Sequence, residues 1–335
     1  MQAILRFSKQ VITVIAVLIF CAACTSAPAA TALSWDVIQL PTDATVLDVS
    51  FVLPEHGWLV GSESTLMETF DGGRTWEPRP LVLDNQEHRF TSVSFSGQEG
   101  WVVGEPTILL HTTDGGRSWS QIPLSPKLPG TPKLITAIGT KSAEMTTDQG
   151  AIYRTQDSGQ HWQAMVEESF GITSNIRRSV DGKYVAVSSR GNFYSIWEPG
   201  RKSWAPYNRN NSRKLQSMGF DLEDHLWMIS RGGQIQFSAG DLFAGINEWQ
   251  DPFMPQRGNL GLLDLAYRTP DELWAAGGSG TLLCSHDGGQ TWQKDTTVAR
   301  VPSNFYRIIF ISPEQGFITG KSGTLLRYIG PAQAA

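Results

Sequence analysis

Two aromatic series sharing one repeat length, together with a recurring Asp-Gly-Gly turn, predict an all-β fold: a seven-bladed β-propeller with four-stranded blades. The turn reads Thr-Phe-Asp-Gly-Gly-Arg-Thr-Trp at residues 69–76 and returns in close variants at 112–119, 155–162 and 285–292. Its aspartates are Asp71, Asp114, Asp157 and Asp287; the first three are spaced by 43 and 43, and the fourth comes after 130, close to three more periods. A repeat of this length is the signature of a propeller blade. The tryptophans Trp76, Trp119, Trp162, Trp204, Trp249 and Trp292 carry the period across the gap, at intervals of 43, 43, 42, 45 and 43. Trp58, Trp101, Tyr184, Trp227, Trp274 and Phe317 form the second series and mark a different strand.

Each Asp box reads as the bend between the third and fourth strands of a blade. Asp accepts hydrogen bonds from backbone N–H groups just ahead of it, and Gly enters the left-handed region without steric cost. The Trp then opens the outer strand and packs its face over the hairpin. The four aspartates are therefore expected to be structural. The copies ending at Trp204 and Trp249 keep the Trp and lose the box.

One period before Trp76 stands Trp35, and after Trp292 the chain has room for only three strands, at 305–311, 316–319 and 324–328. The segment 34–40 is thus expected to complete the last blade, and closure removes both sheet edges. Seven outer-strand aromatics mean seven blades, spanning 34–330 as one domain with a short tail at 331–335. No 3.6-residue periodicity is sustained, so helix is expected to be close to absent.

Residues 1–24 read as an export signal. Arg6 and Lys9 precede an apolar run from Val11 to Phe20, too short for a comfortable membrane span. Beyond this run the chain offers two processing sites. Cys21-Ala-Ala-Cys24 resembles a bacterial lipobox, in which Cys24 is acylated and becomes the mature N-terminus; ordinary cleavage within 27–32 is the other. Residues 25–33 form a small-residue tether with too little apolar mass to fold.

Cys284 is the one remaining thiol, placed in a strand as a core filler, so no internal disulfide is expected. The full chain carries a net charge of −5. Loss of Arg6 and Lys9 with the signal makes it more acidic, which argues against non-specific nucleic-acid binding. Its basic residues are nevertheless unevenly placed. Residues 199–220 contain Arg201, Lys202, Arg209, Arg213 and Lys214 and no acid, with Arg177, Arg178, Arg190, Arg231 and Arg257 around them.

Propeller loops alternate between two faces. Turns joining strands one to two and three to four, the Asp boxes included, share the bottom; turns joining two to three and the inter-blade loops share the top. Arg190 and Arg231 fall in equivalent two-to-three hairpins, and Arg209, Arg213, Lys214 and Arg257 in inter-blade loops. These are expected to converge on the top face over blades four to six as a partner-binding patch, with Arg177 and Arg178 nearby. Arg201 and Lys202 face the other way. An excess of Arg over Lys suits bidentate capture of carboxylates or phosphates.

No catalytic constellation is evident. The six histidines are scattered, with no His-Glu-x-x-His and no Cys-x-x-Cys, so neither metal nor cofactor is expected. Asp boxes also decorate sialidases and glucan-hydrolysing propellers, which makes a glycoside hydrolase the alternative. The candidate carboxylates Asp48 and Asp264 lie on inner strands of distant blades, however, and the Arg-bearing strand at Arg307 comes after the last box instead of preceding the first.

Leu33-Ser-Trp35, Gly57-Trp-Leu-Val-Gly61, the Asp boxes, Ser174-Asn-Ile-Arg-Arg-Ser179 and the run 191–200 together resemble the photosystem II stability/assembly factor family of cyanobacteria and chloroplasts. The resemblance covers 34–330. It implies a non-catalytic, chaperone-like propeller on the lumenal side of the thylakoid. Its implied partners are early photosystem II reaction-centre intermediates, above all the newly made precursor of the core reaction-centre subunit, met through an Arg-rich patch. A lipoprotein-type signal implies a cyanobacterial source and a lipid anchor on the thylakoid membrane. We expect a monomer, with no small-molecule substrate.

Overall fold

A computed structural model describes residues 34–83, 86–209, 212–258 and 260–330, and among them every regular element is a strand. Seven antiparallel sheets succeed one another in chain order around a central channel. Their innermost strands are Val46–Phe51, Arg89–Ser96, Pro132–Gly139, Thr173–Arg178, Leu215–Phe220, Leu262–Tyr267 and Phe305–Ser312. Blade seven closes as the sequence predicts. Trp35–Gln39 pairs antiparallel with Thr324–Tyr328, in a register running from Trp35 opposite Tyr328 to Gln39 opposite Thr324.

The two aromatic registers prove to be two halves of one contact. At four joints the outer-strand Trp packs edge-on against the second-strand aromatic of the blade before it, whereas Trp204 meets Tyr184 of its own blade and Trp249 meets Tyr194 on a third strand. Trp119 meets Trp58 at 5.6 Å between centroids, Trp162 meets Trp101 at 6.1 Å, and Trp35 meets Trp274 at 5.4 Å. In the first three Asp boxes that same aromatic lies over the second glycine, and in the fourth Phe237 of a third strand takes its place over Gly289. A Cβ on Gly116 would come within 2.3 Å of the Trp58 ring, and one on Gly73 within 2.6 Å of Phe317. Both glycines are also left-handed, at φ 93° and 83°, so close approach and backbone conformation each demand Gly.

Inside the box, Thr112 Oγ accepts the Gly116 N–H at 3.0 Å and donates to Asp114 at 2.7 Å. Asp114 also accepts from the N–H and hydroxyl of Ser118, at 3.0 and 2.6 Å. Thr69, Thr155 and Ser285 repeat the first pair of bonds in the other boxes. Partial burial raises the pKa of Asp71 and Asp114, but these donors outweigh it and bring both down to about 2. At Asp157 and Asp287, donors on His161 and Thr291 do the same.

Blade five departs from the expected pattern. It has three strands, and its fourth is abbreviated to isolated bridges between Ile235 and Phe253 and between Ser238 and Trp249. Pro252 supplies no N–H there, and a turn built on Asp241 lengthens the approach to Trp249. Blade three breaks the second aromatic series: Glu144 stands opposite Thr136 in the register where Trp58 stands opposite Ser50.

Inner strands are stitched to their neighbours by side chains. Asp48 accepts from the Ser92 hydroxyl and the Val93 N–H, Ser94 from the Ala137 N–H, Asn175 from the Met218 N–H and Asp264 from the Ile308 N–H.

These contacts generate two stability tests. Trp35→Ala should cost about 3–5 kcal/mol in denaturant unfolding, because it empties a site enclosed by Trp274 and Tyr328. Asp114→Ala should cost about 1–2 kcal/mol near neutral pH through unsatisfied turn donors. Because the folded-state pKa is depressed, the stabilisation from this carboxylate is present above the unfolded value near 3.8 and is lost as pH falls towards about 2. The gap between wild type and variant should therefore close across that acid window.

Candidate functional site: a cationic cleft on the top face

Hydrogen bonds between turns fix the two faces. Asp-box N–H groups donate to first-hairpin carbonyls, Gly72 to Glu55, Gly115 to Gln98 and Gly288 to Asp271, which defines the bottom. On the opposite face the second hairpins meet the inter-blade loops. Ser62 N–H donates to Thr45 O, Leu215 N–H to Gly191 O and Arg231 N–H to Lys214 O. The loops carrying Arg190, Lys214 and Arg231 are thereby laid side by side.

Arg213, Arg231 and Arg257 line one open cleft of about 930 Å³, together with Gly232, Met254 and Gln256, and none of its lining residues is acidic. The three arginines come from three separate loops and are exposed. Arg209 lies under this surface. Its guanidinium donates to Arg213 O, Ser230 Oγ and Gln236 Oε1 at 3.0–3.3 Å, and burial lowers its pKa. It braces the Arg213 loop, while Arg190 and Lys214 stand exposed beside the cleft.

The structure separates Arg177 and Arg178 from this group. Arg178 sits at the end of its inner strand, where other blades place Phe51, Phe220 and Tyr267. It points to Glu144, with Nε to Oε2 at 2.7 Å. Arg154 pairs with the same carboxylate, and the Tyr184 hydroxyl donates to it at 3.0 Å. Burial pushes the Glu144 pKa up, but the two guanidiniums prevail and hold it below its ordinary value. Arg177 reaches across the channel to Asp264 at 2.8 Å.

Arg307 pairs with Asp48 at 2.8 Å, so each inner-strand carboxylate weighed for glycosidase chemistry is engaged by a guanidinium. These ion pairs stand at the floor of a second cavity of about 330 Å³, at the upper mouth of the channel, where Arg89 and Lys133 also converge. Lys133 Nζ donates to Thr173 O at 2.9 Å and to Ser174 O at 3.3 Å, and burial pushes its pKa down. Sequence reasoning missed both residues. Every inner strand carries a register shift near its start, and residues skipped there, including Leu47, Thr91, Lys133 and Tyr306, line the mouth.

Glu272, Cys284 and His286 also come together, although their spacing gave no sign of it. Arg268 clamps both oxygens of Glu272 at 2.6 Å, and Trp274 Nε1 donates to it at 2.8 Å. Burial raises the Cys284 thiol pKa. The trio therefore reads as packing around an ion pair. Cys24 lies outside the described residues.

A closed ring of seven antiparallel sheets joined through these Asp-centred turns belongs to the class of Asp-box β-propellers. More particularly, the chain belongs to the family described as photosynthesis system II assembly factor YCF48, whose profile matches residues 27–329. The family expectation is thus confirmed. The chain is similar to the photosystem II assembly protein Ycf48 of Thermosynechococcus vestitus, at 63% identity over 302 residues, covering 90% of this chain and 86% of the relative. It is also similar to the photosystem II assembly lipoprotein Ycf48 of a Nostoc species, at 54% identity over 329 residues, covering 98% and 96%. A solved structure of YCF48 bound to D1 peptide superposes with a TM-score of 0.86, at 60% identity, covering 90% of this chain and 99% of that one.

Removing the Arg178 guanidinium would leave the fully buried Glu144 with half its counter-charge. Arg178→Ala should therefore destabilise the ring by about 3–5 kcal/mol. In protein that remains folded, partner capture should be unchanged, as a pull-down alongside thermal unfolding would show.

Proposed function

We propose that the chain is a non-catalytic assembly factor that captures a segment of the newly made photosystem II reaction-centre precursor in the top-face cleft. The observation that carries this reading is the cleft lined by Arg213, Arg231 and Arg257 with no acid among its lining. Mutual repulsion among like charges gathered on an acidic chain is relieved by an anionic partner. A guanidinium cluster suits carboxylates presented on an extended peptide, since each can be met by two parallel N–H donors. The likeness to YCF48 bound to D1 peptide supports a D1 segment as that partner.

Arg190, Arg209, Lys214 and the channel-mouth pair Arg177 and Arg307 extend the positive field around the cleft. The channel pairs are already matched to acids and contribute position more than charge. Export and acylation at Cys24, with a monomer held on the lumenal side of the thylakoid membrane, complete the proposal. The lipoprotein names of relatives support the anchor.

Arg231→Glu together with Arg257→Glu should leave the unfolding midpoint close to wild type, because both side chains are exposed. The same double reversal should abolish binding of a labelled D1 peptide, measured by fluorescence anisotropy. Wild-type affinity should fall steeply as salt rises, since exposed pairs are screened beyond about 8–10 Å at physiological ionic strength. Wild-type-like binding by the reversed protein across a salt series would remove the cleft from the function.

A further inference from the structure

The bottom face differs in chemistry from the cleft face. Most of the exposed large apolar side chains among the described residues gather there. Leu53, Val180, Leu222 and Ile311 stand at or beside first-hairpin turns, while Phe70 and Ile246 stand in the third turns. Leu53, Val180 and Leu222 are 55%, 93% and 57% exposed, so these tips project without packing. Between them the channel opens into a cavity of about 280 Å³ walled by Phe220, Tyr267 and Phe310, with Arg177, Arg178 and Arg307 and the acids Asp221 and Asp264 also in its lining.

The ring also begins on this face. Ile329 N–H donates to Ser34 O at 3.0 Å, and Arg327 Nε donates to Gly72 O, in the first Asp box, at 3.1 Å. Nine residues separate Cys24 from Ser34, and the ten steps from one to the other reach at most about 33–36 Å. A lipid on Cys24 would thus be leashed to the apolar side of the propeller.

We propose that the bottom face rests on a lipid surface, with the aliphatic tips entering its interface and the cationic cleft facing away. Apolar side chains that stay in water in the free protein gain by entering an interface, and a short leash keeps them beside one. The same turns carry Glu55, Asp181, Glu223, Asp271 and Glu314 against Lys141, with Arg201 and Lys202 in one third turn, an acidic balance that selects an uncharged lipid surface over an anionic one. The arrangement presents the cleft to partner segments that project from the membrane. The inference rests on the anchor reading above, and its test is independent of native processing.

The mature chain beginning at Cys24 is coupled at that thiol to a maleimide lipid in phosphatidylcholine vesicles; Cys284 is buried and does not compete. A fluorescent amino acid replaces Val180, Leu222 or, on the top face, Arg190, and brominated phosphatidylcholine serves as the quencher. Emission from positions 180 and 222 should fall as the brominated fraction rises, while emission from position 190 stays constant. With the probe at Leu53, the further change Val180→Asp plus Leu222→Asp should relieve quenching although the protein remains tethered. Equal quenching on both faces, quenching at 190 alone, none anywhere, or quenching indifferent to the aspartates would each overturn the proposal. D1 peptide binding by the tethered protein that carries its probe at position 180 or 222 reports separately on the cleft.

Discussion

Four joints in this ring depend on an aromatic side chain of one blade lying over a glycine in the next blade's Asp-box turn. Burial of the ring face supplies the driving force, and the missing Cβ supplies the space. Trp58 Nε1 donates to the Gly115 carbonyl at 2.9 Å, so the indole joins the turn by its polar edge as well. The Asp carboxylate acts one step removed, holding the turn in the left-handed conformation that lets the ring approach. Sequence repeat, turn chemistry and inter-blade packing are therefore one constraint expressed at three levels.

Where the joint is altered, other physics replaces it. Blade three has Glu144 in place of the aromatic, and Arg178 fills the matching position on blade four. An ion pair with a tyrosine hydroxyl on its flank takes over a contact made elsewhere by rings. Blade five lacks a regular outer strand, and the chain released from pairing continues into the Met254–Gly258 loop that walls the cleft. The least regular blade is the one that builds the candidate site.

This difference decides what could be read from the residues in advance. Blade number, closure by Trp35 and the role of Asp71, Asp114, Asp157 and Asp287 were legible because each repeats with the packing. The convergence of Arg213, Arg231 and Arg257 came from loop alternation alone. Arg177 and Arg178 were grouped with them by proximity in sequence, but they lie on an inner strand, and their partners Asp264 and Glu144 stand on other blades. Lys133 was missed because it is the bulged residue of its strand, a facing that strict alternation does not register. A better signal was available for Arg178: its register with Phe51 and Phe220 marks a position that packs.

The closing strand has a consequence for the order in which the molecule comes into being. The ribosome delivers Trp35 first and its partner Tyr328 last, about 290 residues later. Until then Trp35–Gln39 has no ladder to join, and the second-strand Trp274 has no indole to cover it. The earlier blades can stack progressively, each on its predecessor, in the manner of a solenoid. The final event alone turns an open array into a ring, and it spans nearly the whole chain. Loop closure over such a distance adds little to the equilibrium cost but makes the last step slow. A chain shortened at its C-terminus would keep most of its blades and still lack the seam that unites them.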